Sequence, residues 1–320
     1  MVSVHPSFIH SNDPGMKLKY IRISAIFFLG ILALSCSSSF EEVGTSIIDP
    51  PIEEEILPLE AISMMDVAYG DHPQQKYDIY LPADRTSTKT KVLLLVHGGG
   101  WIEGDKSSMT PFIELIKERH PQHAIVNMNY VLAALAPGVT PAFPNQFLDI
   151  DEVIEKLVAE KEILQINPQF GMIGTSAGAH LSLMYDFVYD AEDRVKFVVD
   201  IVGPTDFTDP FFSEDPNFSL ALSLFVDESK YPDGTNYAEA TSPVFNVSAA
   251  SSPVAMFYGN EDPLVPLANG NALDASLTSF EIEHSYTIYE GGHGDNWSDA
   301  DILDLQAQIS NFIMEYLTIN

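Results

Sequence analysis

The chain has 320 residues, 46% of them apolar and 11% aromatic, enough for one large α/β domain with a substantial core and too few for two full-sized ones. Its 46 acidic residues against 15 basic ones give a formal charge of −31, which argues against nucleic acid and anionic surfaces as partners, since both need clustered Lys and Arg. No single acidic block dominates, so the acidity reads as a solubilising surface suited to an extracytoplasmic setting.

Residues 1–15 have no signal character. Met16-Lys17-Leu18-Lys19-Tyr20-Ile21-Arg22 is a basic stretch, followed by the mostly apolar 23–34 and then Ser35-Cys36. That is the pattern of a secretory signal, beginning at Met1 or, more naturally, at Met16. The apolar part is shorter than the about 20 residues of a membrane span. Cys36 is the only cysteine, sits behind a small residue and precedes Ser37-Ser38-Ser39. This resembles the lipobox of bacterial lipoproteins, with Ala33 where Leu is commonest. The resemblance implies cleavage before Cys36, lipidation of Cys36, and a tether to the outer membrane or cell surface. An ordinary signal peptide with a stray cysteine is the alternative. Residues 36–58, acidic and bearing Pro50, Pro51 and Pro58, read as the linker.

The domain is expected to occupy 59–320. Residues 61–69 and 76–81 predict an opening antiparallel pair, since Tyr77-Asp78-Ile79-Tyr80-Leu81 alternates and is bounded by Pro73 and Pro82. Apolar or β-branched runs at 92–96, 124–130, 170–173, 197–202, 254–258 and 284–289 predict the remaining strands. Helical spacing marks 110–120, 147–164, 177–188 and 300–317; Ile150, Val153, Ile154, Leu157 and Val158 form one stripe. Strands alternating with helices imply an α/β fold with a doubly wound, mostly parallel sheet. Residues 203–252 interrupt the alternation. They are long, rich in Phe, Pro and Asp, and read as a cap over the pocket or as a surface excursion.

Two glycine-rich turns carry the chemistry. Gly174-Thr175-Ser176-Ala177-Gly178 follows one apolar strand and opens a helix, the setting that lifts a serine out of a sheet in a strained turn, so Ser176 is the expected nucleophile. His97-Gly98-Gly99-Gly100-Trp101 follows another strand. It offers bare backbone amides for a tetrahedral oxyanion; Gly99, Gly100 and Ala177 are the expected donors, with Gly98 in reserve. In neighbouring parallel strands both turns would lie at one sheet edge, where α/β proteins place their sites. His97 reads as a structural residue of the loop. Trp101 either lines the pocket floor or packs under the loop.

A base and its orienter should follow in the order Ser, acid, His. Asp262 lies in a turn forced by Pro263 directly after a strand, and His293 lies in Glu290-Gly291-Gly292-His293-Gly294 directly after the last one. His293 would take the Ser176 proton and Asp262 would hold its tautomer. Glu261 is the weaker acid candidate. His180 reads as packing within the nucleophile helix, and His72, His120, His123 and His284 have no metal-ligand spacing, so no metal is expected. Asp206, in Gly203-Pro204-Thr205-Asp206, either borders the pocket as a substrate contact or caps a turn.

Taken in order, Tyr77-Asp78-Ile79-Tyr80-Leu81-Pro82, the two glycine-rich turns, Gly203-Pro204-Thr205-Asp206, Asp262-Pro263-Leu264-Val265-Pro266 and Gly291-Gly292-His293-Gly294 resemble the α/β-hydrolase superfamily. The likeness is to its carboxylesterase and hormone-sensitive-lipase-like branch, and within that to bacterial esterases removing acetyl or feruloyl groups from plant polysaccharides. It covers most of the chain from Tyr77 onward, departing at Ala179 where a third glycine is common. The resemblance implies a cofactor-free carboxylic-ester hydrolase acting on a small-molecule or carbohydrate ester. A peptidase on the same fold and a catalytically silent binding module are the alternatives.

Overall fold

The computed structural model, which describes residues 58–134 and 138–319, places eight strands in one sheet. They are β1 (Ile62–Ala68), β2 (Lys76–Leu81), β3 (Val92–Val96), β4 (Ala124–Met128), β5 (Phe170–Thr175), β6 (Val195–Ile201), β7 (Val254–Gly259) and β8 (His284–Tyr289). The order across the sheet is β1-β2-β4-β3-β5-β6-β7-β8. β1 and β2 pair antiparallel, β2 joins β4 antiparallel, and every later pairing is parallel. The signal-like segment, Cys36 and most of the linker lie outside the described residues. Among the described residues no helix is long and apolar enough to cross a membrane.

The helices are α1 (Thr110–Arg119), α2 (Asn145–Ala159), α3 (Lys161–Leu164), α4 (Ala177–Met184), α5 (Pro210–Ser213), α6 (Pro216–Phe225), α7 (Tyr237–Ala240), α8 (Pro243–Asn246), α9 (Leu267–Ser279) and α10 (Asp299–Tyr316). β3 explains the layering. Its pleat sends Val92, Leu94 and Val96 into one apolar core and Leu93 and Leu95 into the other, all fully buried. The first core is completed by Phe147, Ile150, Val153 and Ile154 of α2 and by α4 and α9. The second is completed by Ile113 and Ile116 of α1 and by Leu305, Ile309 and Ile313 of α10.

Where the elements depart from the sequence expectations, side-chain packing is the reason. The stripe of α2 ends at Ala159, and the chain restarts as the short α3, which Gln165 closes in the left-handed conformation (φ +54°). α4 stops at Met184 and widens into a π turn over Tyr185–Tyr189. α9 carries little apolar periodicity because it buries Asn269 and Gly270 beside Leu273 and Leu277. A Cβ at Gly270 would stand 2.5 Å from Tyr286 Oη and 2.9 Å from Tyr258 Cδ2, so the helix reaches the sheet only because that position is bare. Residues 203–252 carry α5 to α8 between β6 and β7.

Leu94→Ala removes a fully buried side chain on a central strand. It is expected to lower unfolding stability by about 2–5 kcal/mol, read as a shift of the urea midpoint at unchanged slope.

Candidate active site

The pairing of β3 with β5 sets Val96 opposite Gly174, so the chain leaves both strands at the same sheet edge. Ser176 sits at the turn into α4 with φ +50° and ψ −120°, a strained conformation for a residue with a Cβ. Its N–H donates to the Ile201 carbonyl (2.7 Å) at the end of β6. The glycine two residues on serves packing: a Cβ at Gly178 would lie 2.2 Å from Val96 O and 2.4 Å from His97 O, so α4 could not seat against β3.

The loop after β3 is held from several sides. Tyr130 stacks on the buried His97 ring at 4.4 Å and donates its hydroxyl hydrogen to the His97 carbonyl (3.0 Å). Burial pushes the His97 imidazole down, and its Nδ1–H donates to Gly98 O (2.6 Å), so His97 stays neutral and structural. Gly99, Gly100 and Trp101 all have positive φ (+124°, +55° and +67°). For a bulky residue such as Trp101 that conformation costs about 1–3 kcal/mol. Ala133 N and Gln146 Nε2 both donate to its carbonyl at 2.9 Å, and its indole N–H donates to His180 Nδ1 (3.2 Å). Both readings of Trp101 therefore hold. The ring packs against Phe143, Phe207 and Phe225 while its edge lines the cavity at Ser176.

Downstream, Lys106 ties the exit of this loop to the β1–β2 pair through Asp66 (2.9 Å) and Asp78 (3.0 Å). Ala177 opens α4, where its N–H has no partner within the helix. Among the described residues the amides of Gly99 and Gly100 also donate to no acceptor of the chain.

His293 and Asp262 arrive from the loops after β8 and β7. His293 Nε2 lies 2.9 Å from Ser176 Oγ, and its Nδ1 lies 2.7 Å from Asp262 Oδ2. The Asp262 side chain has no exposed area, and Leu264 N and Val265 N donate to its Oδ1 at 2.8 and 3.0 Å. Burial opposes ionisation, but the His293 contact and the two amides outweigh it and hold the carboxyl below its ordinary value. Glu261 is exposed and plays no part in this pair.

Two asparagines that carried no sequence signal hold the loops: Gly291 N donates to Asn260 Oδ1 (3.0 Å), joining the loops after β8 and β7, and Gly292 N to Asn296 Oδ1 (2.6 Å), closing the loop after β8 on itself. Asp206 is placed differently from a substrate contact. Its Oδ1 accepts from Thr208 N (2.8 Å) and Thr208 Oγ1 (2.6 Å), capping a turn, and it borders neither cavity at Ser176. Among the described residues no three His, Cys, Asp or Glu side chains converge as metal ligands.

The profile of the family described as BD-FAE matches residues 77–277, well over half of the chain. The chain belongs to the BD-FAE family. Similarity extends to Esterase LipC of Mycobacterium tuberculosis (strain ATCC 25618 / H37Rv), 24% identical over 261 residues, covering 77% of this chain and 63% of that protein. The chain spans about half to two-thirds of the length of the curated relatives it matches. The carboxylesterase Cest-2923 from Lactobacillus plantarum WCFS1 superposes with a TM-score of 0.64 at 16% identity, covering 82% of this chain and 99% of that one. A truncated carbohydrate esterase from gut microbiota gives 0.60 at 18% identity, over 79% and 97%. The shared architecture is the α/β-hydrolase fold.

In this BD-FAE chain two cavities meet at Ser176 and His293. One, of about 430 Å³, is walled by Gly99, Gly100 and Trp101 and by Phe212 and Phe218 of the 203–252 segment. The other, of about 400 Å³, lies between α1 and α10 and is lined by Phe112, Leu115, Trp297, Ile302 and Leu305. A carbonyl carbon at Ser176 Oγ thus has room for a substituent on either side.

Beneath the site, Tyr258 Oη stands 2.6 Å from Asp200 Oδ2 and 2.7 Å from the Gly203 carbonyl, while Gly203 N donates to Asp200 Oδ1 (2.8 Å). One hydroxyl hydrogen cannot serve two acceptors, so both contacts are hydrogen bonds when Asp200 is the neutral acid and donates to Tyr258. Burial, only partly offset by these contacts, pushes the Asp200 carboxyl up to about 7. The unfolded chain releases this proton near pH 3.9. Between about pH 4 and 7 the folded state therefore holds a proton that the unfolded state has lost, and stability falls as pH rises through that window. Asp200→Asn, which keeps an acceptor for Gly203 N and a donor for Tyr258, is expected to flatten the fall in melting temperature between pH 5 and 8. Asp186, also pushed up to about 7 by burial, supplies a remaining slope. An undiminished slope in the variant would show that Asp200 is not the titrating group.

Proposed function

We propose that this BD-FAE member is a serine-dependent carboxylic-ester hydrolase that works through an acyl-enzyme on short-chain or carbohydrate-linked acyl esters. The observation that carries the reading is the chain of contacts from Asp262 Oδ2 through His293 to Ser176 Oγ, at 2.7 and 2.9 Å. The ionised Asp262 keeps the imidazole proton on Nδ1, which leaves the Nε2 lone pair facing the Ser176 hydroxyl. Ser176 Oγ attacks the ester carbonyl as its proton passes to Nε2. Negative charge collects on the former carbonyl oxygen, for which the N–H groups of Gly99, Gly100 and Ala177 are the donors we assign, the two glycine amides having no acceptor within the described residues. Collapse breaks the bond to the alcohol oxygen, which takes the proton from Nε2. Water then repeats the sequence on the acyl-enzyme, releasing the acid and restoring Ser176.

The names of the similar proteins, an esterase, a carboxylesterase and a carbohydrate esterase, support the ester reading. The phenylalanine wall of Phe212 and Phe218 favours a small or flat acyl group over a long chain. We further propose that the domain is lipid-anchored through Cys36 on an extracytoplasmic membrane face, a reading supported by the basic and apolar segments preceding that residue.

Initial rates on para-nitrophenyl acetate, butyrate and octanoate, an acetylated xylooligosaccharide and an aminoacyl para-nitroanilide test the activity. Acetyl esters are expected to lead, and Ser176→Ala is expected to abolish turnover with little change in melting temperature. Turnover surviving that substitution would remove Ser176 from the mechanism, and anilide turnover ahead of esters would favour a peptidase. Cys36→Ser is expected to move the protein from membranes into the soluble fraction, whereas continued membrane recovery of the intact precursor would point instead to an uncleaved apolar anchor.

A further inference from the structure

The oxyanion donors come from two separate segments: Gly99 and Gly100 from the loop after β3, and Ala177 from the first turn of α4. A tetrahedral oxyanion is held only if these amides keep a fixed register. Among the described residues a single side-chain hydrogen bond joins the two segments, from Trp101 Nε1–H to His180 Nδ1 at 3.2 Å. His180 lies one turn beyond the nucleophile, its own N–H donating to the Ser176 carbonyl (3.1 Å), and its side chain has no exposed area. The indole N–H can only donate, so His180 Nδ1 is the acceptor and its proton sits on Nε2. That Nε2–H donates to the Thr241 carbonyl at 2.7 Å, in the segment between α7 and α8.

We propose that His180 is a positioning residue that locks the loop after β3 and α4 in register, and that its bond to Thr241 builds the 203–252 segment into the same lock. The strained backbone at Trp101 is what needs locking. Its carbonyl is pinned by Ala133 and Gln146, and among the described residues the indole N–H of this residue, which directly follows Gly100, has His180 Nδ1 as its one hydrogen-bond partner. The surroundings suit a permanently neutral ring: Trp101, Phe143, Phe147 and Phe207 pack around it, and burial pushes its imidazole down to about 4. His180 is thus both acceptor and donor throughout the working pH range, a pairing that phenylalanine cannot supply and glutamine can.

This inference rests on the ester-hydrolase reading, and its test separates the two. His180→Gln, His180→Phe, Trp101→Phe and the double variant H180F/W101F would be assayed on para-nitrophenyl acetate, with rates normalised to sites titrated by a serine-directed phosphonate. His180→Phe is expected to lower kcat by about tenfold or more with KM little changed, and His180→Gln to restore most of it. Trp101→Phe removes the same bond from its other end and carries the test even if His180→Phe does not fold. The double variant should lose no more than the worse single one. An unchanged kcat per titrated site in both single variants, losses that add in the double variant, or equal losses in His180→Gln and His180→Phe would overturn the role. A wild-type protein that hydrolyses no ester and takes no phosphonate would instead overturn the ester reading, and this inference with it.

Discussion

The parallel pairing of β3 with β5 is the constraint on which the site depends, because adjacent strands lie about 4.8 Å apart and their exits must then share one edge. Every other feature at Ser176 works within that spacing. The bare position at Gly178 lets α4 lie against the end of β3, and Ile201 at the end of β6 fixes the Ser176 turn from the opposite side. The loops after β7 and β8 then come close enough for Asp262 and His293 to reach Ser176. A shift of one residue in the β3–β5 register would exchange the side chains each strand sends into the two apolar cores and misfit both, so the same packing that stabilises the sheet also holds the site's geometry.

Residues of one chemical type take opposite roles here because their surroundings differ. Asp262 stays ionised: two backbone amides and the imidazole of His293 face it. Asp200 has one amide and a tyrosine hydroxyl in a fully buried setting, and it is held toward the neutral form. Among the histidines, His293 is partly open to the cavities and paired with a carboxylate, whereas His180 sits in an aromatic cage whose polar contacts are an indole and a carbonyl. Burial without a counter-charge makes an imidazole a fixed hydrogen-bonding joint, whereas a carboxylate at Nδ1 leaves the other ring nitrogen facing a hydroxyl.

The segment between β6 and β7 belongs to the site more than its irregular sequence suggests. It places Phe212 and Phe218 over Ser176, and Phe207 beside both Trp101 and His180. The Thr241 carbonyl, which accepts from His180 Nε2, anchors it to α4, while the Ser242 hydroxyl, which accepts from Phe207 N at 2.8 Å, ties the segment to itself. Asn269 on α9 reinforces the exit of β6 by accepting from Thr205 N and Asp206 N, each at 2.8 Å. The pocket wall and α4 thus share one hydrogen-bonded foundation.

Much of this was legible in the amino-acid sequence. The eight apolar runs, the glycine turn around Ser176, the glycine loop before Trp101 and the placement of Asp262 and His293 after strands all depend on neighbours a few residues away, and local backbone geometry is set at that range. The strand order, the break between α2 and α3 and the helix α9 built on Asn269 and Gly270 were not legible, and for Asp206 the sequence left capping and substrate contact both open. Nor were the joints formed by Trp101 with His180 and Gly291 with Asn260. The sequence by itself determined which residues could do chemistry and which stretches had to be buried. The tertiary structure alone decided which of them meet, because a hydrogen bond between residues dozens of positions apart has no local signature and forms only once the cores have closed around the sheet.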